Sequence, residues 1–299
     1  MKIGIVGGGA IGLTFAAALA RAHDVVVLVR RPELAALLAR DGIALVRDDG
    51  VEIVRCFAAS DPAALGGRDA LIVAVKAYAT SAALAPLAGI LPPHALVASV
   101  QNGIDFAADA RAALPHARIA AGSTTQGAIG MGPGRVRPAG AGTTVFARDD
   151  AAAPSSDALA GACTACGLPA TAVDDIRPVL WRKLAINAAL NPLGALARRS
   201  NGEVASDPDL APLARRAAEE AAAVAAAEGI VLDDPWAAVE AAARATAANR
   251  NSMLQDLDAG RPTEIDAIAG ALVRCAHARA IPVPLTETLL HLVRARERA

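Results

Sequence analysis

Lys183, Asn187 and Asn191 lie in the stretch WRKLAINAALNP, residues 181–192, which reads as a helix. The spacing i, i+4, i+8 then stacks one ammonium and two amides on one helical face. The residues between them are Leu, Ala and Ile. Taking an unpaired polar group out of water costs about 1–3 kcal/mol, so a helix burying apolar surface needs something polar to face such groups. Either the three side chains line a polar site, or they form the solvated side of an ordinary amphipathic helix. Pro192 disfavours helical geometry at Asn191 and predicts a kink or a stop there.

A second polar cluster is NRNSMLQDLDAGRPTEID, residues 249–266. Ser252 and Asp256 are one helical turn apart, and Pro262-Thr263-Glu264 marks a restart, with Thr263 as a cap and Glu264 near the new N-terminus. The plainer reading is a helix-loop-helix with surface polar groups. The histidines at 23, 94, 116, 277 and 291 lie outside both clusters, which leaves Lys183 as the proton donor if the site is chemical. Cys163 and Cys166 form a C-x-x-C with small apolar flanks and no second ligand pair at zinc spacing, so no metal site is expected.

The element that would deliver a reaction partner lies at the N-terminus. KIGIV at 2–6 reads as a buried strand, and Gly7-Gly8-Gly9-Ala10-Ile11-Gly12 opens the helix that follows. In this strand-turn-helix setting, Gly7 permits the tight turn, Gly9 lets a pyrophosphate approach the backbone, and Gly12 allows close helix packing. The next strand, VVVLV at 25–29, ends at Arg30 and Arg31. An acidic residue about 20 positions past the glycines would bind the ribose of NAD. A guanidinium instead suits a 2′-phosphate, so Arg30 points to NADP(H), against the alternative of a solvated arginine pair.

Further strands are expected at 70–75, ending at Lys76, at 95–100, ending at Gln101-Asn102-Gly103, and at 118–122, ending at STTQG. Ligands of parallel sheets lie beyond the carboxyl ends of the strands. There Lys76 can meet a phosphate, Asn102 can reach nicotinamide or substrate, and the backbone at Gly127 can pass under a cofactor. For each of them a loop residue without a ligand is the competing reading. Residues 131–148, rich in Gly and Pro, predict two short β pieces added antiparallel to the sheet, with a helix at ALAGACTACG and a last strand at PATAV.

From about 175 onward strand signals vanish, and helices are expected over 176–199, 209–228, 235–259, 263–279 and 285–298. The fold class is therefore α/β: a Rossmann-type dinucleotide-binding domain over 1–174 and an all-α substrate domain over 175–299, with a small-molecule cleft expected between them. Lys plus Arg at 29 against Asp plus Glu at 30 gives no field to attract nucleic acid or anionic membrane, and 2% aromatic content argues against base stacking. The glycines at 7–12 interrupt what would otherwise imitate a signal peptide, no apolar run reaches membrane-spanning length, and the four cysteines are too few and scattered for a disulfide scaffold. A soluble cytoplasmic protein with a small-molecule partner is expected, and its Ala-rich helices leave a homodimer open.

Taken together, GGGAIG at 7, VKAY with Lys76, QNG with Asn102, WRKLAINAALNPL at 181, NGE at 201 and SMLQDLDAGRPTEID at 252 resemble the ketopantoate reductase (2-dehydropantoate 2-reductase) family over the whole chain. The resemblance implies reduction of 2-dehydropantoate by NADPH to pantoate, in pantothenate and coenzyme A synthesis, with Lys183 as the catalytic acid. It further implies that Asn187, Asn191, Asn201 and Ser252 bind the ketoacid, that Asn102 touches cofactor and substrate, and that Glu264 and Gly127 contact the cofactor. Alternatives on the same scaffold are a reductase of another 2-oxo acid and a non-catalytic NADP(H) sensor.

Overall fold

The computed structural model describes residues 1–140, 142–148 and 155–298. The chain forms two compact units, Met1–Gln101 with Phe106–Ile176, and Asn102–Asp105 with the chain from Arg177 onward.

The first unit begins with β1 (Lys2–Val6), α1 (Ala10–Leu19), β2 (Asp24–Leu28) and α2 (Pro32–Asp41). Next come β3 (Ile43–Arg47), β4 (Gly50–Val54), β5 (Phe57–Ala59), β6 (Ala70–Val73), α3 (Thr80–Leu84), β7 (Leu96–Ser99), α4 (Phe106–Ala113) and β8 (Arg118–Ala120). The unit closes with β9 (Gly122–Thr124), β10 (Ala128–Gly130), β11 (Arg135–Pro138), β12 (Thr144–Ala147), α5 (Ser155–Ala165) and β13 (Ala170–Val173).

Among the described residues the main sheet runs β5, β2, β1, β6, β7, β8, all parallel. The strand order reverses at β1, so the crevice beyond its carboxyl end, where Gly7 begins the glycine turn, is a topological switch point. Because side chains alternate across a strand, Ile3, Ile5, Val25 and Val27 enter one apolar core while Val6, Val26, Leu71 and Val73 enter another on the opposite face. Continuous apolar runs such as DVVVL are what two covered faces require.

The Gly- and Pro-rich segment does not extend the main sheet. β11 pairs parallel with β3 and antiparallel with β10 in a second sheet, and β12 joins β9 and β13 in a third. The cause is an available edge: the β3–β4 hairpin leaves β3 open on one side, and β11 fills it.

The regular elements of the second unit after Arg177 are all helices among the described residues. It comprises α6 (Arg177–Ala197), α7 (Asn201–Ser206), α8 (Leu210–Ala227), α9 (Pro235–Ala245), α10 (Ser252–Asp258), a π-helical turn (Asp266–Gly270), α11 (Ala271–Ala278) and α12 (Pro284–Glu297). α6 supplies Trp181, Leu184 and Ala188 to one apolar cluster and Ala189, Leu190 and Leu193 to another. It is the central helix, and it runs through Pro192 rather than stopping at Asn191. Residues 188–195 of α6 are all buried, and that packing outweighs the hydrogen bond the proline removes. The helix expected over 235–259 breaks between α9 and α10, where Asn251 caps α10 by accepting from the Leu254 N–H at 3.0 Å. No helix among the described residues is long and apolar enough to cross a membrane.

Candidate active site

Lys183 and Asn187 project from α6 and are half-buried, whereas Asn191 is buried. Asn102 reaches the same helix from the four-residue piece Asn102–Asp105, which belongs to the helical unit although it directly follows Gln101 of the sheet unit. Its amide links two of the predicted residues. Asn187 Nδ2 donates to Asn102 Oδ1 at 3.4 Å, and Asn102 Nδ2 donates to Glu264 Oε2 at 2.9 Å. Glu264 is buried and acts electrostatically on Lys183. Burial pulls the Lys183 ammonium down from 10.5 to about 8, against the opposing attraction of the Glu264 carboxylate. The site thus couples a lysine poised to lose its proton, a carboxylate and a chain of amides.

Local structure holds each part. Gly103 has φ +92, and a Cβ there would lie 2.8 Å from the Ala267 carbonyl, so only glycine lets this piece settle on the π-helical turn. Ile104 packs against the helical core, and Asp105 pairs with Arg274 at 2.6 Å. On the Glu264 side, the Thr263 N–H donates to Glu297 Oε1 at 2.7 Å and the Ile265 N–H to Thr263 Oγ1 at 3.1 Å. Asp266, at the start of the π-helical turn, pairs with Arg294. Insertions of this kind are frequent at functional sites because they re-aim neighbouring side chains.

The remaining predicted residues of this unit lie on tied segments. The Asn201 N–H donates to the Asn249 carbonyl at 3.0 Å, and its side chain donates to Thr246 Oγ1 at 2.9 Å. Asn201 Oδ1 is buried without a hydrogen-bond partner among the described residues, a cost of about 1–3 kcal/mol that a donor from a ligand would remove. Ser252 is exposed in the first turn of α10, whose capping Asn251 donates to the Leu190 carbonyl of α6 at 3.4 Å. A Cβ at Gly194 would come within 2.5 Å of Asn251 Nδ2, so this glycine makes the seat for the cap.

The sheet unit carries the other predicted cofactor residues, Asn102 and Glu264 belonging to the helical unit. Gly7 has φ +122, and a Cβ on it would lie 2.9 Å from the Val75 nitrogen. One on Gly12 would lie 2.0 Å from the Gly7 carbonyl, whereas one on Gly9 would meet nothing within 4 Å. The turn is therefore closed at its first and last glycines and open at the middle one. Gly9 caps α1 with no side-chain hydrogen bond among the described residues, so the first N–H groups of α1 and the open face at Gly9 fit a pyrophosphate. Gly8 packs beneath Val29 and Leu34, and Ala10 and Ile11 form the first turn of α1. Arg30 and Arg31 are exposed just past β2, and Lys76 is half-buried at the start of a short 3-10 turn, Ala77–Ala79.

Gly127 has a packing duty of its own. A Cβ there would lie 2.0 Å from the Ala139 carbonyl. Gln126 turns to the backbone, donating to the Gly142 carbonyl at 2.6 Å and accepting from the Gly142 N–H at 3.2 Å. Sequence reasoning missed the braces at Asp105, Arg274, Arg294 and Glu297. Gly103 was visible as part of QNG, but a glutamate on the last helical turn carries no local signal.

A doubly wound sheet with a glycine turn at its switch point defines a dinucleotide-binding protein, and the family that the chain matches makes it an oxidoreductase. Residues 3–150 match the family described as Ketopantoate reductase PanE/ApbA, and residues 175–297 match Ketopantoate reductase PanE/ApbA C terminal. The chain belongs to the ketopantoate reductase family. It is 33% identical to the 2-dehydropantoate 2-reductase of Halobacterium salinarum, covering 100% of this chain and 99% of that protein. To the 2-dehydropantoate 2-reductase of Archaeoglobus fulgidus it is 34% identical, covering 99% and 98%. Among solved structures, a PanE/ApbA family ketopantoate reductase from Ralstonia eutropha superposes with a TM-score of 0.92 at 34% identity, over 100% of this chain and 99% of that one. D-mandelate dehydrogenase with NADH and anilino(oxo)acetate gives a TM-score of 0.92 at 26% identity, over 100% and 99%.

Proposed function

We propose that the protein is a cytoplasmic, NADPH-dependent 2-dehydropantoate 2-reductase that forms pantoate. The observation that carries the reading is the Lys183 ammonium, brought by burial to about 8 and set beside Glu264. A group with that pKa is largely protonated at neutral pH and gives up its proton readily, which is what an acid in ketone reduction needs. Bound NADPH supplies the hydride to C2. Lys183 protonates the oxygen of that carbon, and its positive charge favours the negative charge growing there. Asn102 and Glu264 hold the lysine end of the site in register. Asn187, Asn191, Asn201 and Ser252 bind the carboxylate and hydroxyl of the ketoacid, and the buried Asn201 Oδ1 suits a hydroxyl donor. In the sheet unit the N–H groups at residues 9–12 would hold the pyrophosphate, Arg30 would pair with the 2′-phosphate and Lys76 would meet the nucleotide. Glu264 would meet the cofactor ribose.

The similarity to D-mandelate dehydrogenase favours a second reading, a reductase of a bulkier 2-oxo acid using NADH. One experiment separates the two. Cofactor oxidation is followed with 2-dehydropantoate, 2-oxoisovalerate and phenylglyoxylate, each with NADPH and with NADH. The proposal expects NADPH with 2-dehydropantoate to exceed every other pair in kcat/KM by at least about tenfold, because an analogue lacking a hydrogen-bonding hydroxyl leaves buried polar groups unpaired. Equal rates with 2-oxoisovalerate, or a preference for NADH with phenylglyoxylate, would overturn it.

A further inference from the structure

Gln101 is the last residue of the sheet unit before the chain passes to Asn102, and it is buried. A buried primary amide is costly unless its hydrogen-bonding groups find partners, and this one uses both faces. Nε2 donates to the Val75 carbonyl at 2.7 Å and to Thr80 Oγ1 at 2.9 Å, while Oε1 accepts from Ser99 Oγ at 3.2 Å. The Gln101 backbone N–H donates to the same serine hydroxyl at 3.0 Å. Thr80 Oγ1 in turn donates to the Ala77 carbonyl at 2.8 Å. The orientation of the amide follows from these partners, since the reverse would set its oxygen against the Val75 carbonyl.

The residue enclosed by these contacts is Lys76. Gln101 grips the carbonyl before it directly and the carbonyl after it through one hydroxyl. Val75 also abuts the glycine turn, where a Cβ on Gly7 would lie 2.9 Å from the Val75 nitrogen. A buried position that served only to fill space would do as well with a leucine or methionine, which needs no partners. We propose that Gln101, touching neither cofactor nor substrate, is a positioning residue that fixes the backbone on both sides of Lys76 and so aims that lysine at the nucleotide. The inference rests on the reading that Lys76 meets NADPH.

The test is a double-mutant cycle in the full-length protein, with NADPH affinity measured by calorimetry and folding followed by thermal denaturation. Gln101→Met keeps the volume and removes the amide. It is expected to raise the Kd for NADPH by about tenfold, a loss of the size of one or two hydrogen bonds, while kcat at saturating NADPH changes by less than about twofold. In a Lys76→Ala background the same substitution should leave the Kd unchanged within about twofold. Thr80→Val, which removes the hydroxyl that accepts from Gln101 and donates to Ala77 but leaves the Gln101 contact with Val75, should give a smaller rise that also vanishes without Lys76, and it serves if Gln101→Met fails to fold. Equal losses of affinity with and without Lys76, or unaltered affinity in a folded Gln101→Met protein, would overturn the inference alone. Failure of the unaltered protein to bind NADPH would overturn the cofactor reading as well.

Discussion

Asn102 donates its side-chain amide to the Glu264 carboxylate at 2.9 Å, joining residues 162 positions apart in the chain. The contact ties the QNG turn to the segment that restarts the helices after Pro262, and it sets the carboxylate that acts on Lys183. Substituting Asn102 with Ala leaves Glu264 without that donor. A lost hydrogen bond to a charged group is worth about 1.5–3 kcal/mol, so kcat/KM for the 2-oxo acid should fall by about 10- to 100-fold. Steady-state kinetics of Asn102→Ala at neutral pH checks this, and a loss below about threefold would contradict it.

Gly103→Ala tests the seat of the same turn. Its φ of +92 and the 2.8 Å approach to the Ala267 carbonyl leave no room for a methyl group. The substitution should cost about 1–3 kcal/mol of stability and lower kcat, because Asn102 shifts with the backbone. Denaturant unfolding beside kinetics reads both effects.

Arg30→Ala addresses cofactor choice. Arg30 is exposed, so a pairing with the 2′-phosphate as proposed would be partly screened, and its removal should cost NADPH about tenfold in KM while leaving the KM for NADH within about twofold. Equal changes for both cofactors would remove the 2′-phosphate role.

Lys183 should also be a liability to folding. Its pKa falls from 10.5 in the unfolded chain to about 8 in the fold, so between those values the unfolded state binds more protons and stability rises with pH. Below about pH 8 the full penalty, about 3 kcal/mol, is present. Lys183→Met should therefore be more stable than the unaltered protein below pH 8, and the advantage should shrink as pH climbs toward 10.5. Thermal denaturation of both proteins across that range checks the sign.

Much of this arrangement is legible in local sequence. The glycine turn, the parallel strands and the helical second half announce themselves through backbone freedom and hydrophobic period. Lys183 stands out because a polar stripe interrupts an otherwise apolar helix. The β3–β4 hairpin is hard to read from sequence although Asp49-Gly50 is a turn signal, since β4 exposes all but Val54 and shows no buried pattern. The persistence of α6 through Pro192 reflects burial against α8 and α9, which local propensity does not register. The contact of Asn102 with Glu264 and the brace from Glu297 join distant parts of the chain. No window of sequence contains both partners.

The central claim is that Lys183 gives the proton. The most direct measurement is kcat/KM for reduction of the 2-oxo acid as a function of pH, with the reverse oxidation of the hydroxy acid followed alongside. Reduction should decline above an apparent pKa of about 8, where Lys183 loses its proton, and oxidation should rise through the same value. Lys183→Ala should keep NADPH binding, lose at least about a thousandfold in turnover, and show no such titration. Turnover by Lys183→Ala that retained both its magnitude and its break near pH 8 would contradict the account.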